Sequence, residues 1–99
     1  MQPLKIEQTR EFSAWFNAQA FRDQALISAR INRLEEHAHL GDFKNLGHEL
    51  YELRWKNGRR IYFTRFKYSL VLLILGGVKN AQKKDIKEAR IILQRYKRA

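Results

Sequence analysis

Residues 49–66 (ELYELRWKNGRRIYFTRF) alternate apolar and polar side chains, turn at an Asn-Gly pair and alternate again. That period of two is the mark of a β-hairpin. A two-residue Asn57-Gly58 turn would set Leu53 opposite Tyr62 and Arg54 opposite Ile61, mixing the faces. A three-residue loop of Lys56, Asn57 and Gly58, with Gly58 at positive φ, pairs Leu53 with Ile61 and Tyr51 with Phe63 instead. The other face then carries Arg54 beside Arg60 and Glu52 beside Tyr62. A slip of one residue would bury arginine, so the three-residue loop is the predicted register.

The same reading extends to both sides. Residues 3–7 (PLKIE) read as a short edge strand. Thr9 is a candidate N-cap ahead of Phe12, Trp15 and Phe16, whose spacing marks one apolar helix face. A second helix is predicted from near Asp23, with Ile27, Ile31, Leu34 and Ala38 in one stripe and Gly41 as its C-cap. Residues 41–47 (GDFKNLG) read as loop. The run from Ser69 to Leu75 (SLVLLIL) does not alternate, as expected of a central strand covered on both faces, and Gly76-Gly77 breaks it. A last helix from about Asn80 turns Ile86, Ala89, Leu93 and Tyr96 inward and Lys83, Lys84, Lys87, Arg90 and Arg95 outward. The order predicts one α+β domain over residues 1–99, in which an N-terminal strand and two helices pack on a mostly antiparallel twisted sheet and a helix closes the chain.

Composition narrows the function. The net charge is +10, and it is unevenly placed. Residues 1–53 hold six Lys/Arg against eight Asp/Glu, whereas residues 54–99 hold fourteen against two. Such a basic half repels itself unless an anion is near, which points to nucleic acid first, then an acidic protein, then a membrane surface. With no cysteine, neither a disulfide framework nor a thiolate metal site is available. His37 and His39 are near a helix end, where alternate residues do not share a face, so no metal or other cofactor is expected. The N-terminus lacks a signal-peptide layout and the longest apolar run, Leu70 to Leu75, is far short of the roughly 20 residues that span a bilayer. The expectation is a soluble cytoplasmic protein with no membrane partner.

The candidate chemistry lies on the polar hairpin face. Arg54 and Arg60 opposite one another repel unless an anion or carboxylate offsets them, and Glu52 is the only acid on that face. The guanidinium fork suits bidentate phosphate contact, while solvated arginines on an exposed face are the alternative. The segment GGVKNAQKKDI adds Lys79, Lys83 and Lys84 near a helix N-terminus that offers free N–H groups. No Ser-His-Asp or Cys-His set is suggested. Arg and Lys can stabilise the charge that builds on a phosphate attacked by a ribose 2′-hydroxyl, with Glu52, Tyr62 and Asp85 as candidate proton carriers.

The runs GDFKNLGHELYELR, NGRRIYF, VLLILGG and KNAQKKDIKEA resemble the RelE/ParE superfamily of toxins from type II toxin–antitoxin modules, on the branch of addiction module killer proteins near HigB. The resemblance implies a RelE-like fold and a cognate antitoxin partner, with operator DNA bound only through the antitoxin complex. It also implies one of two activities. RelE- and HigB-like members are mRNA interferases, metal-independent endoribonucleases that cut mRNA on the ribosome, whereas ParE-like members poison DNA gyrase. By position, Arg60 falls where RelE-type nucleases have a phosphate-binding catalytic arginine. Lys79 falls where they have a second arginine, and Asp85 near a catalytic tyrosine of RelE. Glu52 replaces a lysine. Under the nuclease reading Arg54, Arg60 and Lys79 hold the scissile phosphate in one solvent-reachable pocket, and Asp85, Tyr62 or Glu52 move protons. Lys44, Lys56, Arg59, Lys83 and Lys84 grip ribosomal or messenger RNA. An inactive relative that binds only antitoxin and operator DNA is the remaining alternative.

Overall fold

A computed structural model describes residues 4–66 and 70–98. The elements follow in the order β1 (Lys5–Gln8), α1 (Arg10–Asn17), α2 (Phe21–His37), β2 (Phe43–Gly47), β3 (Leu50–Arg54), β4 (Arg59–Phe66), β5 (Leu70–Val78), a 3-10 turn (Lys79–Ala81) and α3 (Gln82–Lys97). The predicted strand starts at Pro3 and Ser69 lie outside the described residues. The five strands form one sheet in the order β1-β5-β4-β3-β2, antiparallel except for the parallel β1–β5 pair. This is the α+β architecture read from the sequence, with one strand more.

The hairpin has the predicted register. Tyr51 pairs with Phe63, Glu52 with Tyr62, Leu53 with Ile61 and Arg54 with Arg60. Gly58 sits at φ 101°, which closes the three-residue loop where a side chain would be strained. Leu53, Ile61 and Phe63 face α1 and α2, in a core with Phe12, Ile27, Leu34 and Leu73. Tyr62 and Ile74 face the other way, toward Ala89, Ile92 and Leu93 of α3. Helices therefore cover both faces, as the unbroken apolar run of β5 requires. Thr9 caps α1 as expected, accepting from the Phe12 amide at 2.9 Å and donating to the Ile74 carbonyl at 2.7 Å.

Four local expectations change. Residues 43–47 are a strand rather than loop; its side chains are exposed or half-buried at the sheet edge, so burial never imposed alternation. The second helix starts at Phe21 and is capped by Ala38 at φ 54° rather than by Gly41. Tyr96, expected inward, is 37% exposed, and Ile92 is buried in its place. Gly76 and Gly77 do not end the strand but continue it, on account of what covers them. A Cβ on Gly76 would lie well under 3.0 Å from the Trp15 ring on one face, and one on Gly77 equally close to the Asp85 carboxylate on the other. Glycine is what lets both neighbours approach the backbone.

Candidate nucleic-acid site

Partners in an antiparallel ladder share a face, so two rows of side chains cross the α3 side of the sheet. Lys44, Glu52, Tyr62 and Leu75 form the first, and Arg54, Arg60 and Gly77 the second. Helix α3 packs over the β4–β5 end of these rows, which buries their middle and leaves the β2–β3 end open. Glu52 and Tyr62 are fully buried and Arg60 is 4% exposed. Arg54 keeps 39% of its side chain in solvent, and Lys44 is exposed on the edge strand.

The expected open cluster of Arg54, Arg60 and Lys79 is therefore corrected. Arg60 is an internal buttress whose Nη1 donates to the Trp55 carbonyl at 3.1 Å and the Arg59 carbonyl at 3.0 Å, holding the hairpin turn. Only Arg54 and Lys79 of the three reach solvent. Lys79 stands at the end of the sheet beside the hairpin loop, its amide donating to the Gly58 carbonyl at 2.8 Å. The period-2 pattern placed Arg60 on the right face, but its covering by α3 depends on contacts that no local pattern encodes.

Glu52 organises what lies beneath. Its Oε2 accepts from Gln82 Nε2 at 2.6 Å and lies 3.9 Å from Arg60 Nε, and its Oε1 lies 3.7 Å from Arg54 Nε. One buried carboxylate thus stands between two guanidiniums and ties the sheet to the first residue of α3. Four polar atoms here are buried without a hydrogen-bond partner among the described residues: Glu52 Oε1, Arg54 Nε, Arg60 Nε and Tyr62 Oη. Native interiors tolerate few such atoms. Burial, then the neighbouring Glu52 and Asp85 carboxylates, push the Tyr62 phenol far up, so it stays a neutral hydroxyl and is no proton acceptor at neutral pH. Neither Glu52 nor Tyr62 reaches solvent to exchange protons with a substrate, contrary to expectation.

Asp85 is the acid that remains. It is half-buried against Gly77, and its pKa is raised by burial and then by Glu88, with Lys84 pulling the other way. A carboxylate made more basic is a better proton acceptor. Lys83 and Lys84 are exposed in the first turn of α3, whose N-cap, Ala81, supplies no side-chain bond to the free amides.

Arg59, expected to grip RNA, belongs to the other face. It is 7% exposed, with Nη2 2.8 Å from Asp23 Oδ1 on α2 and its guanidinium 5.5 Å from the Trp55 ring centre. Lys56 is exposed in the hairpin loop. Sequence reasoning missed Gln82, which no motif singles out, and Asp23, read only as a helix start.

A family model described as "Phage derived protein Gp49-like" matches residues 14–97. The chain belongs to the Gp49-like family. The Gp49-like chain is also 36% identical over 94 residues to an uncharacterized protein of Haemophilus influenzae, covering 92% of this chain and 94% of that one. Among solved structures it is similar to a chain of the RelB–RelE antitoxin–toxin complex from Methanococcus jannaschii, with a TM-score of 0.65 at 13% identity over 79% of this chain and 95% of the other. At that identity the likeness is one of fold: the Gp49-like chain is built as a RelE-like domain. No helix among its described residues is long and apolar enough to cross a membrane.

Proposed function

We propose that this protein is the toxin of a type II toxin–antitoxin module, on the HigB-like side of the RelE/ParE superfamily, and that it cuts mRNA on the ribosome. The observation that carries the reading is a RelE-like fold whose α3 face presents a half-exposed arginine, Arg54, beside a sealed carboxylate that positions it. Arg54 and Lys79 hold and neutralise the scissile phosphate, and Asp85 takes the proton of the attacking 2′-hydroxyl. The leaving 5′-oxygen is protonated by water or by a group of the ribosome. Glu52, Arg60 and Tyr62 are positioning residues beneath them. Lys44, Lys83 and Lys84 extend the basic rim toward ribosomal and messenger RNA. The antitoxin is acidic where it covers residues 54–99, and operator DNA is met only in its company.

The burial of Arg60 and Tyr62 favours one other reading, a ParE-like inhibitor that binds DNA gyrase and cuts nothing, since a binding surface needs no open acid–base pair. Pulsed expression with and without the antitoxin gene, following protein synthesis and DNA integrity in parallel, separates the two. The nuclease reading expects cleaved message on ribosomes and intact DNA. Arg54→Ala should lower cleavage on the order of a hundredfold, the scale of one lost charge-stabilising group. Growth arrest with uncut message and accumulating DNA breaks would replace it with the gyrase reading.

A further inference from the structure

A second basic cleft of the molecule is not on the α3 face. It lies on the helical side, where the C-terminal half of α2 meets the hairpin, and holds about 330 Å³. Arg30, Arg33, His39, Arg54 and Lys56 line it, and Asp42 is the one acid in that lining. Its floor is built rather than incidental. Arg30 donates through Nη1 to the Arg54 carbonyl and through Nη2 to the carbonyls of Leu40 at 3.1 Å and Asp42 at 2.6 Å. Its guanidinium lies 4.3 Å from the Trp55 ring centre. Gly41, at φ 65°, brings the loop so near that a Cβ would lie 3.2 Å from Arg30 Nη2. A fixed cation thus forms the base, and Arg33 and Lys56 are exposed at the rim.

We propose that this cleft binds the phosphodiester backbone of single-stranded RNA and leads the strand around the hairpin loop to the α3 face. Continuity of the cations carries the argument. Lys56 belongs both to the cleft and to the hairpin loop, and Lys79 sits against Gly58 at the far side of that loop. Lys79 in turn opens the segment that carries Lys83 and Lys84. An extended polyanion fits a path that turns a corner better than a compact acidic patch does. Arg30 adds to the case, because burial and the adjacent Arg33 both work against its charge while Asp42 alone supports it, so an anion in the cleft relieves an existing penalty. The Trp55 indole already carries the Arg30 and Arg59 guanidiniums, and the open groups are cations. The cleft therefore reads charge and not base identity, and binding is indifferent to sequence. This deepens the proposed function, on which it rests for the identity of the RNA.

The test uses the full chain and a fluorescent single-stranded RNA of mixed sequence, about twelve nucleotides long, followed by anisotropy across a salt series. Arg33→Gln with Lys56→Gln should weaken binding on the order of tenfold and reduce the slope of log K against log salt by about 1.4, as two phosphate contacts to a single strand require. Arg10→Gln with Arg22→Gln makes the same charge change on exposed residues away from the cleft and should leave the slope unaltered. Equal loss in both doubles overturns the cleft in favour of general charge. Unchanged RNA binding in the cleft double overturns it too, and loss of antitoxin binding in that variant would reassign the cleft to an acidic protein. A wild type that binds RNA through the cleft but cuts no message leaves the cleft standing and removes the nuclease reading instead.

Discussion

One β-hairpin supplies both faces of this molecule's interior, and the two are built on opposite terms. Toward α1 and α2, Leu53, Ile61 and Phe63 pack on apolar neighbours, and the buried Arg59 guanidinium has a close partner in Asp23 at 2.8 Å, with a single nitrogen, Nη1, left unpaired among the described residues. Toward α3, Glu52, Arg60 and Tyr62 are just as deeply buried, yet the ion-pair distances are 3.7 and 3.9 Å and polar atoms go unpaired. The first arrangement serves stability. The second carries a desolvation cost that apolar residues would avoid, and it lies under the one arginine of its row that reaches solvent. Side chains kept at such cost are the ones expected to position chemistry.

The contrast is broken most forcefully by filling the interior from one side or the other. Gly76→Ala drives a methyl into the Trp15 ring and Gly77→Ala drives one into the Asp85 carboxylate. The ring packs against Phe12, their centroids 5.6 Å apart, and is bulkier than a carboxylate, so Gly76→Ala should cost about 3 kcal/mol, at the upper end of overpacking penalties. Gly77→Ala should cost less and recover much of the loss when combined with Asp85→Ala. Urea unfolding of the set checks the order. Equal costs, with no recovery in the double variant, would mean that the two faces are not differently yielding.

Removing the organising carboxylate comes next. Glu52→Ala leaves Arg60 buried without a counter-charge and frees Gln82, for a loss of about 3 kcal/mol. Glu52→Gln keeps the shape and should recover part of it, while reducing message cleavage as Arg54 loses its alignment. A variant that folds less stably but cuts RNA at the wild-type rate would confine Glu52 to a structural role.

Smaller effects sharpen the same contrast by pH. The folded-state pKa of Asp85 lies above its ordinary value. Its contribution is therefore fully present below the ordinary carboxylate value and is lost as pH rises through the folded one. Asp85→Asn should accordingly raise the melting temperature at neutral pH, and the advantage should vanish on acidification. Glu11 behaves in the opposite sense, because its hydrogen bond from Arg95 lowers its pKa. Its contribution is present above the ordinary value and lost as pH falls through the folded one, so Glu11→Gln should cost about 0.5 kcal/mol at neutral pH and nothing in acid. Melting curves at three pH values test both. Tyr62→Phe should change stability least, by under about 0.5 kcal/mol, because the hydroxyl it deletes makes no hydrogen bond of good geometry among the described residues.

The sequence spoke most clearly where one residue's environment is set by its neighbours along the chain. Alternation and Gly58 fixed the hairpin register, and Thr9 announced α1. It was silent where environment comes from afar. Nothing near Arg60 foretells that the first turns of α3 will seal it, and nothing near Gly76 and Gly77 says that Trp15 and Asp85 will lie against them. Phe43 to Gly47 escaped notice because an edge strand facing solvent needs no apolar period. The resemblance to RelE-type nucleases pointed to Arg60 and Lys79 together; only the packing distinguishes the buried one from the open one.

The parallel pairing of Lys5 with Leu70, through Gln8 with Leu73, has a temporal consequence. The first strand finds its edge only after β5, more than sixty residues further along, has been made, and closing so wide a loop is a slow step. During synthesis the N-terminal segment has no sheet to join. A nascent chain therefore lacks its finished sheet until β5 has been made and has paired with the first strand.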